Sequence, residues 1–211
     1  DYAQLLRRFC DQIEQTGCFD PELLRDYPSM LFGLETAMLH LQAGDIIFDT
    51  PFSRGEEGIT INGLVWMGNF EEMTQRIDQK LEQGFHCVKL KIGAIRFDDE
   101  LELVKRIRNR YSHREVELRV DANGAFDFED ALYRMELLAQ YAIHSIEQPI
   151  RAGQWSFMAE LCRNSPLPIA LDEELIGVND RNQKRQMLNI IRPAYIVLKP
   201  SLHGGMMGVR E

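Results

Sequence analysis

Apolar residues recur at helical spacing from the start of the chain. Leu5, Leu6, Phe9 and Ile13 form one stripe, and a second periodic run spans 30–41, so residues 2–42 predict a small helical portion. The stretch 44–58, with Pro51, Gly55 and the pair Glu56-Glu57, breaks that periodicity and predicts a polar connection. It divides the chain into 1–57 and 58–211. Beyond it, short apolar runs alternate with amphipathic ones. Strands are predicted at 59–67, 86–92, 115–121, 143–147, 168–172 and 195–199, and helices at 70–83, 98–110, 127–141, 155–163 and 180–188. Strict alternation implies a parallel sheet with helices outside, either an open doubly wound sheet or a closed eight-unit β/α barrel.

Periodicity leaves both open, but the charged residues bear on the choice. Lys91, Asp121, Glu147, Asp172 and Lys199 are separated by 30, 26, 25 and 27 residues, about one β/α unit each, and each falls at or near a predicted strand end. A barrel gathers its strand ends around one mouth, whereas an open sheet spreads them along a line. Singly, each acidic residue is equally a helix cap or a surface charge. Together, Asp121, Glu147 and Asp172 would repel one another unless a cation neutralised them, and an all-oxygen set suits a hard ion, with Mg2+ favoured and Mn2+ the alternative. Lys89 and Lys91 lie two apart on a strand and so share a face. Positive charge near a lysine lowers its pKa and equips it as a base.

Composition narrows the partners. A formal charge of −9 opposes a general affinity for nucleic acid or anionic membrane, and no run reaches the ~20 apolar residues of a membrane span. A small-molecule carboxylate is the expected ligand. The start has no signal-peptide layout, so a cytoplasmic location is expected. The four cysteines and five histidines show no metal-ligand spacing. Oligomeric state is left open, a homo-oligomer included.

Taken in order, Lys89-Leu90-Lys91, Asp121-Ala122-Asn123, Glu147-Gln148-Pro149 and Leu171-Asp172-Glu173 resemble the K-x-K, D-x-N, E-x-P and D-E motifs of the enolase superfamily. The segment Lys199-Pro200-Ser201-Leu202-His203-Gly204-Gly205 resembles the strand-6 lysine segment of its muconate-lactonizing subgroup, and the helical start resembles the tail of its α+β capping domain. The resemblance covers nearly the whole chain. It implies an enolase-type (β/α) barrel of which strands 1 to 6 are present. A complete barrel of this kind runs to about 250 residues, so the chain is expected to be part of a longer protein.

Within the subgroup, the K-P-S-L segment and Ile61-Asn62-Gly63-Leu64-Val65-Trp66 resemble the o-succinylbenzoate synthase family. This resemblance implies a magnesium-dependent dehydratase of menaquinone biosynthesis. By transfer of roles, Asp121, Glu147 and Asp172 bind the ion, Lys91 takes a proton from beside the substrate carboxylate, and Lys199 stabilises the developing negative charge. Lys89 keeps the pKa of Lys91 low, Asn123 orients a ligand or touches substrate, and Glu173 supports the site. The rival readings are an N-acylamino acid racemase or dipeptide epimerase, muconate cycloisomerisation, and a noncatalytic metal-binding barrel module.

Overall fold

Six strands pair in chain order: β1 (Gly63–Val65), β2 (Cys87–Lys91), β3 (Glu117–Asp121), β4 (Ser145–Glu147), β5 (Ile169–Leu171) and β6 (Tyr195–Ile196). Every pair is parallel. The helices are α1 (Tyr2–Thr16), α2 (Pro28–Ala43), α3 (Phe70–Glu82), α4 (Phe97–Arg110), α5 (Phe128–Ala139), α6 (Trp155–Asn164), α7 (Arg181–Ile191) and α8 (Gly205–Arg210). A doubly wound sheet reverses its strand order at a switch point. None occurs here, so the sheet is wound as a β/α barrel is.

The computed structural model describes residues 1–211. It divides into two compact units, the first comprising Asp1–Gly58, Ile176–Lys184 and Leu198–Glu211, the second Ile59–Leu175 and Arg185–Val197. Two stretches assigned from sequence to the barrel thus group with the helical start, and Lys199 is in one of them. In the first unit Phe9, Leu24, Met30, Leu31 and Leu34 form a buried cluster, against which Met207 of α8 packs. The Glu35 carboxylate accepts from the N–H groups of Met206 (2.5 Å) and Met207 (3.0 Å), satisfying donors at the start of α8. No helix is long and apolar enough to cross a membrane.

In the second unit the two faces of the sheet differ sharply. Val88, Leu90, Leu118, Val120 and Ile146 are fully buried, while the alternating positions carry Lys89, Lys91, Glu117, Arg119, Asp121, Ser145 and Glu147. The apolar face is met by helix stripes at 3–4-residue spacing: Met73 and Ile77 of α3, Leu103, Val104 and Ile107 of α4, Ala131, Met135 and Leu138 of α5. Each such leucine or methionine contributes ~1.5–3 kcal/mol through burial. Asn69 starts α3 with a reciprocal capping box: its side chain accepts from Glu72 N–H (2.9 Å), and the Glu72 carboxylate accepts from Asn69 N–H (3.0 Å).

The outer strands are shorter than their sequence runs. Only Gly63–Val65 of the run 59–67 and Tyr195–Ile196 of 195–199 are strand. Each has a ladder partner on one side only, so backbone pairing gives less reason to extend it. Helix α8, after the strand-6 lysine segment, is too short for its periodicity to be legible.

Leu118, fully buried on β3, supplies a test of this core. Leu118→Ala is expected to cost about 2–5 kcal/mol, measured as a lower urea midpoint with an unchanged slope. An unaltered midpoint would place β3 outside the core.

Candidate active site

Register brings the polar face to a focus. Lys91 pairs with Asp121, and Asp121 with Glu147, so one row across β2, β3 and β4 carries all three side chains. Glu147 pairs with Ala170, which leaves Asp172 two residues farther along, just past the end of β5. Asp121 is fully buried, and Asp172 and Glu147 are nearly so.

The lysines neutralise this row. Lys91 Nζ donates to Asp121 Oδ2 at 2.6 Å and to Asn123 Oδ1 at 2.7 Å. Lys89 Nζ donates to Glu147 Oε2 at 2.7 Å and lies 3.0 Å from Asp121 Oδ2. The two carboxyls respond differently. Burial opposes ionisation of Asp121, but its hydrogen bond to Lys91 and the charge of Lys89 outweigh that and hold its pKa below the usual range. Burial, with Asp121 adjoining, pushes Glu147 up to about 7 despite Lys89. Burial works against the Lys89 ammonium too, yet Glu147 and Asp121 together hold its pKa above the ordinary value. The two carboxyls thereby favour the charged form of Lys89.

A tight turn carries Asn123 back toward Lys91. Asn123 and Gly124 both have positive φ, 46° and 75°. At Gly124 the requirement is strict, because a Cβ would lie 3.0 Å from Arg151 Cα. Asn123 N–H donates to Asp121 Oδ1 (3.1 Å), and its Nδ2 donates to Glu173 Oε1 (2.8 Å). Glu173, two strands away, is thereby linked through Asn123 to Lys91. Being a turn residue and touching the site are thus one property of Asn123.

The structure brings Lys89, Lys91, Asp121, Asn123, Glu147 and Glu173 into one hydrogen-bonded group, with Asp172 in the adjoining turn. Lys199 belongs to the first unit, where its N–H donates to His203 Nδ1 at 3.0 Å. Asp121, Glu147 and Asp172 do not converge into a ready three-ligand cage. Register sets Asp172 beyond the row, and ammonium groups stand against the other two. The donor set nevertheless suits a hard divalent cation: three buried carboxyls at or just past the ends of consecutive strands. A cavity of about 650 Å3 lined by Phe19, Glu35, Met38 and Met207 lies in the helical unit and holds none of these residues.

Some residues at the site are not singled out as site residues by the sequence. Trp66 follows β1, its ring centroid 5.5 Å from Lys91 Nζ. Glu100, in the acidic first turn of α4, resembles a solvated helix start but is 1% exposed. Its Oε1 accepts from the N–H groups of Gly93 (2.6 Å), Ala94 (3.2 Å) and Ile95 (3.4 Å), the loop directly after Lys91. Burial outweighs those donors and raises its pKa. Gln148 and Glu174, beside the motif residues, are also buried. Their only sequence signal was adjacency.

A family model described as Enolase C-terminal domain-like matches residues 72–211. The chain belongs to this family. An o-succinylbenzoate synthase from Desulfotalea psychrophila is 53% identical over 181 residues, 85% of this chain and 49% of that protein. The crystal structure of MenC from Desulfotalea psychrophila matches with a TM-score of 0.77 at 45% identity, covering 100% of this chain and 58% of that one. A dipeptide epimerase from Cytophaga hutchinsonii, solved with Mg and the dipeptide D-Ala-L-Val, shares the fold: TM-score 0.73, 20% identity, 87% of this chain and 50% of that one. The chain spans about half the length of the synthase it matches. The six parallel strands are therefore those of the family's β/α barrel, with the doubly wound alternative set aside.

Glu100 gives the site its stability test. Glu100→Ala leaves three loop N–H donors without their acceptor and is expected to cost about 1–3 kcal/mol in thermal or urea unfolding. Glu100→Gln keeps an acceptor oxygen and should lose less. Equal losses would contradict the clamp.

Proposed function

We propose that this chain supplies active-site strands of an o-succinylbenzoate synthase, which dehydrates 2-succinyl-6-hydroxy-2,4-cyclohexadiene-1-carboxylate to o-succinylbenzoate in menaquinone biosynthesis. The observation that carries the reading is the 53% identity to the Desulfotalea psychrophila synthase. The acid/base set itself would serve an epimerase equally well, so identity has to separate the two. Epimerase relatives from Francisella, Flavobacteria and Maribacter stand at 25–33%.

The chemistry needs a base beside an acidified carbon. Asp121, Glu147 and Asp172 would hold a divalent ion, Mg2+ or Mn2+, which when bound supplies positive charge for the substrate carboxylate as its neighbouring carbon loses a proton. The Mg complex of the Cytophaga hutchinsonii epimerase supports that choice of ion. Lys91 in its neutral form takes the proton onto Nζ, breaking the C–H bond. The same ammonium then protonates the departing hydroxyl, the C–O bond breaks, water leaves, and the ring becomes aromatic. Asn123, tied to Asp121 and Glu173, holds the Lys91 amine in place. Lys89 keeps its charge against Asp121 and Glu147. Lys199 is assigned the cation that stabilises the developing negative charge.

The test is turnover by the full-length protein with the cyclohexadiene substrate, beside N-acylamino acids and dipeptides, with and without Mg2+. Activity on the cyclohexadiene alone, abolished by chelation, is expected, and Lys91→Ala should lower kcat by about 10²–10⁴-fold. Turnover of the amino acid derivatives alone would establish the racemase or epimerase reading. Mg2+ binding with no turnover of any of them would establish the noncatalytic one.

A further inference from the structure

Gln148 lies between two motif residues, Glu147 and Pro149, with a φ of 39°, a left-handed conformation uncommon outside glycine. It is 1% exposed, so every polar group it carries needs a partner. All of them have one. Its N–H donates to Ala170 O (2.9 Å), and its carbonyl accepts from Gly124 N–H (2.7 Å). Side-chain Oε1 accepts from the N–H groups of Asp172 and Glu174, both at 3.2 Å. Nε2 donates to Ile150 O (3.0 Å) and Glu174 Oε2 (3.1 Å). Two donors on one side and two oxygens on the other orient the amide one way only.

Glu174 completes the arrangement. It is 2% exposed, and its second oxygen, Oε1, accepts from Gly153 N–H at 2.8 Å. Gln148 and Glu174 therefore tie together three segments: the end of β4, the loop leading to α6, and the turn after β5 that carries Asp172 and Glu173. Their side-chain hydrogen bonds go to backbone groups and to each other.

This geometry answers a difficulty in the site. Asp172 lies beyond the row that aligns Lys91, Asp121 and Glu147, so strand pairing alone does not fix its position relative to Glu147. The Gln148 side chain spans the two strand ends, accepting from the Asp172 and Glu174 N–H groups and donating to the Glu174 carboxylate. We propose that Gln148 and Glu174 are positioning residues that set the spacing of Glu147 and Asp172 for a divalent cation. The proposal rests on the reading of those two carboxylates as metal ligands.

The experiment measures Mg2+ affinity of the full-length protein by calorimetry without substrate, and kcat and KM separately at saturating Mg2+, for Gln148→Glu, Glu174→Gln and the double exchange. Gln148→Glu sets two carboxylates against each other, and Glu174→Gln sets two amide donors against each other. The double exchange restores one donor–acceptor pair between the positions. Each single variant is expected to weaken Mg2+ binding by about 10–100-fold and to lower kcat more than it raises KM, with much of both recovered in the double. Wild-type affinity in the singles, or no recovery in the double, overturns the proposal. Asp172→Asn separates the two readings: if it also leaves affinity unchanged, the cation reading fails and the brace falls with it. If it weakens binding while the brace variants do not, only the brace fails. Should no brace variant fold, amide exchange in the unmodified protein decides. Asp172 and Glu174 N–H groups should be protected like those of β5, and rapid exchange overturns the proposal.

Discussion

Asp121 and Glu147 face each other from adjacent parallel strands with almost no access to water, and much of the second unit is arranged around compensating that pair. Two buried like charges a side chain apart cannot both persist unless positive charge is brought to them. Lys89 and Lys91 bring it from β2 and hold Asp121 low, while burial and the adjoining Asp121 raise Glu147 to about 7. A third buried carboxyl, Asp172, lies just past the end of β5. Three buried carboxyls at neighbouring strand ends form the all-oxygen donor set that a hard divalent cation takes.

The same constraint explains the shape of the surrounding loops. Asn123 has left-handed backbone geometry because the chain must turn immediately after Asp121 and still return a side chain to Lys91. Glu100 is buried because the three N–H groups after Lys91 need an acceptor that travels with α4. Gln148 is held between β4 and β5 because pairing register leaves their carboxyl-bearing ends out of line. Glu100 and Gln148 satisfy backbone groups beside charged neighbours, whereas the Asn123 side chain links Lys91 directly to Glu173.

Much of this was legible in the residues alone. The alternation of strand and helix and the spacing of Lys91, Asp121, Glu147 and Asp172 reflect a repeated β/α unit, and the polar face of β2 shows directly in Lys89-Leu90-Lys91. The outer strand ends were not legible, because hydrophobic runs report burial, whereas strand length depends on having a partner to pair with. Glu100 and Glu174 were missed for a related reason. An acidic residue near a helix start or in an acidic run looks solvated, and only the backbone amides folded around it reveal otherwise. Lys199 follows a short outer strand and groups with the helical unit, so the regular spacing that singled it out does not by itself define its partners.

The cation reading of Asp121, Glu147 and Asp172 rests on where a bound metal lies. Anomalous scattering from crystals of the full-length protein soaked in Mn2+ tests it most directly. One strong peak coordinated by Asp121, Glu147 and Asp172 is expected. No peak among these residues, with both lysines still paired to Asp121, would contradict it.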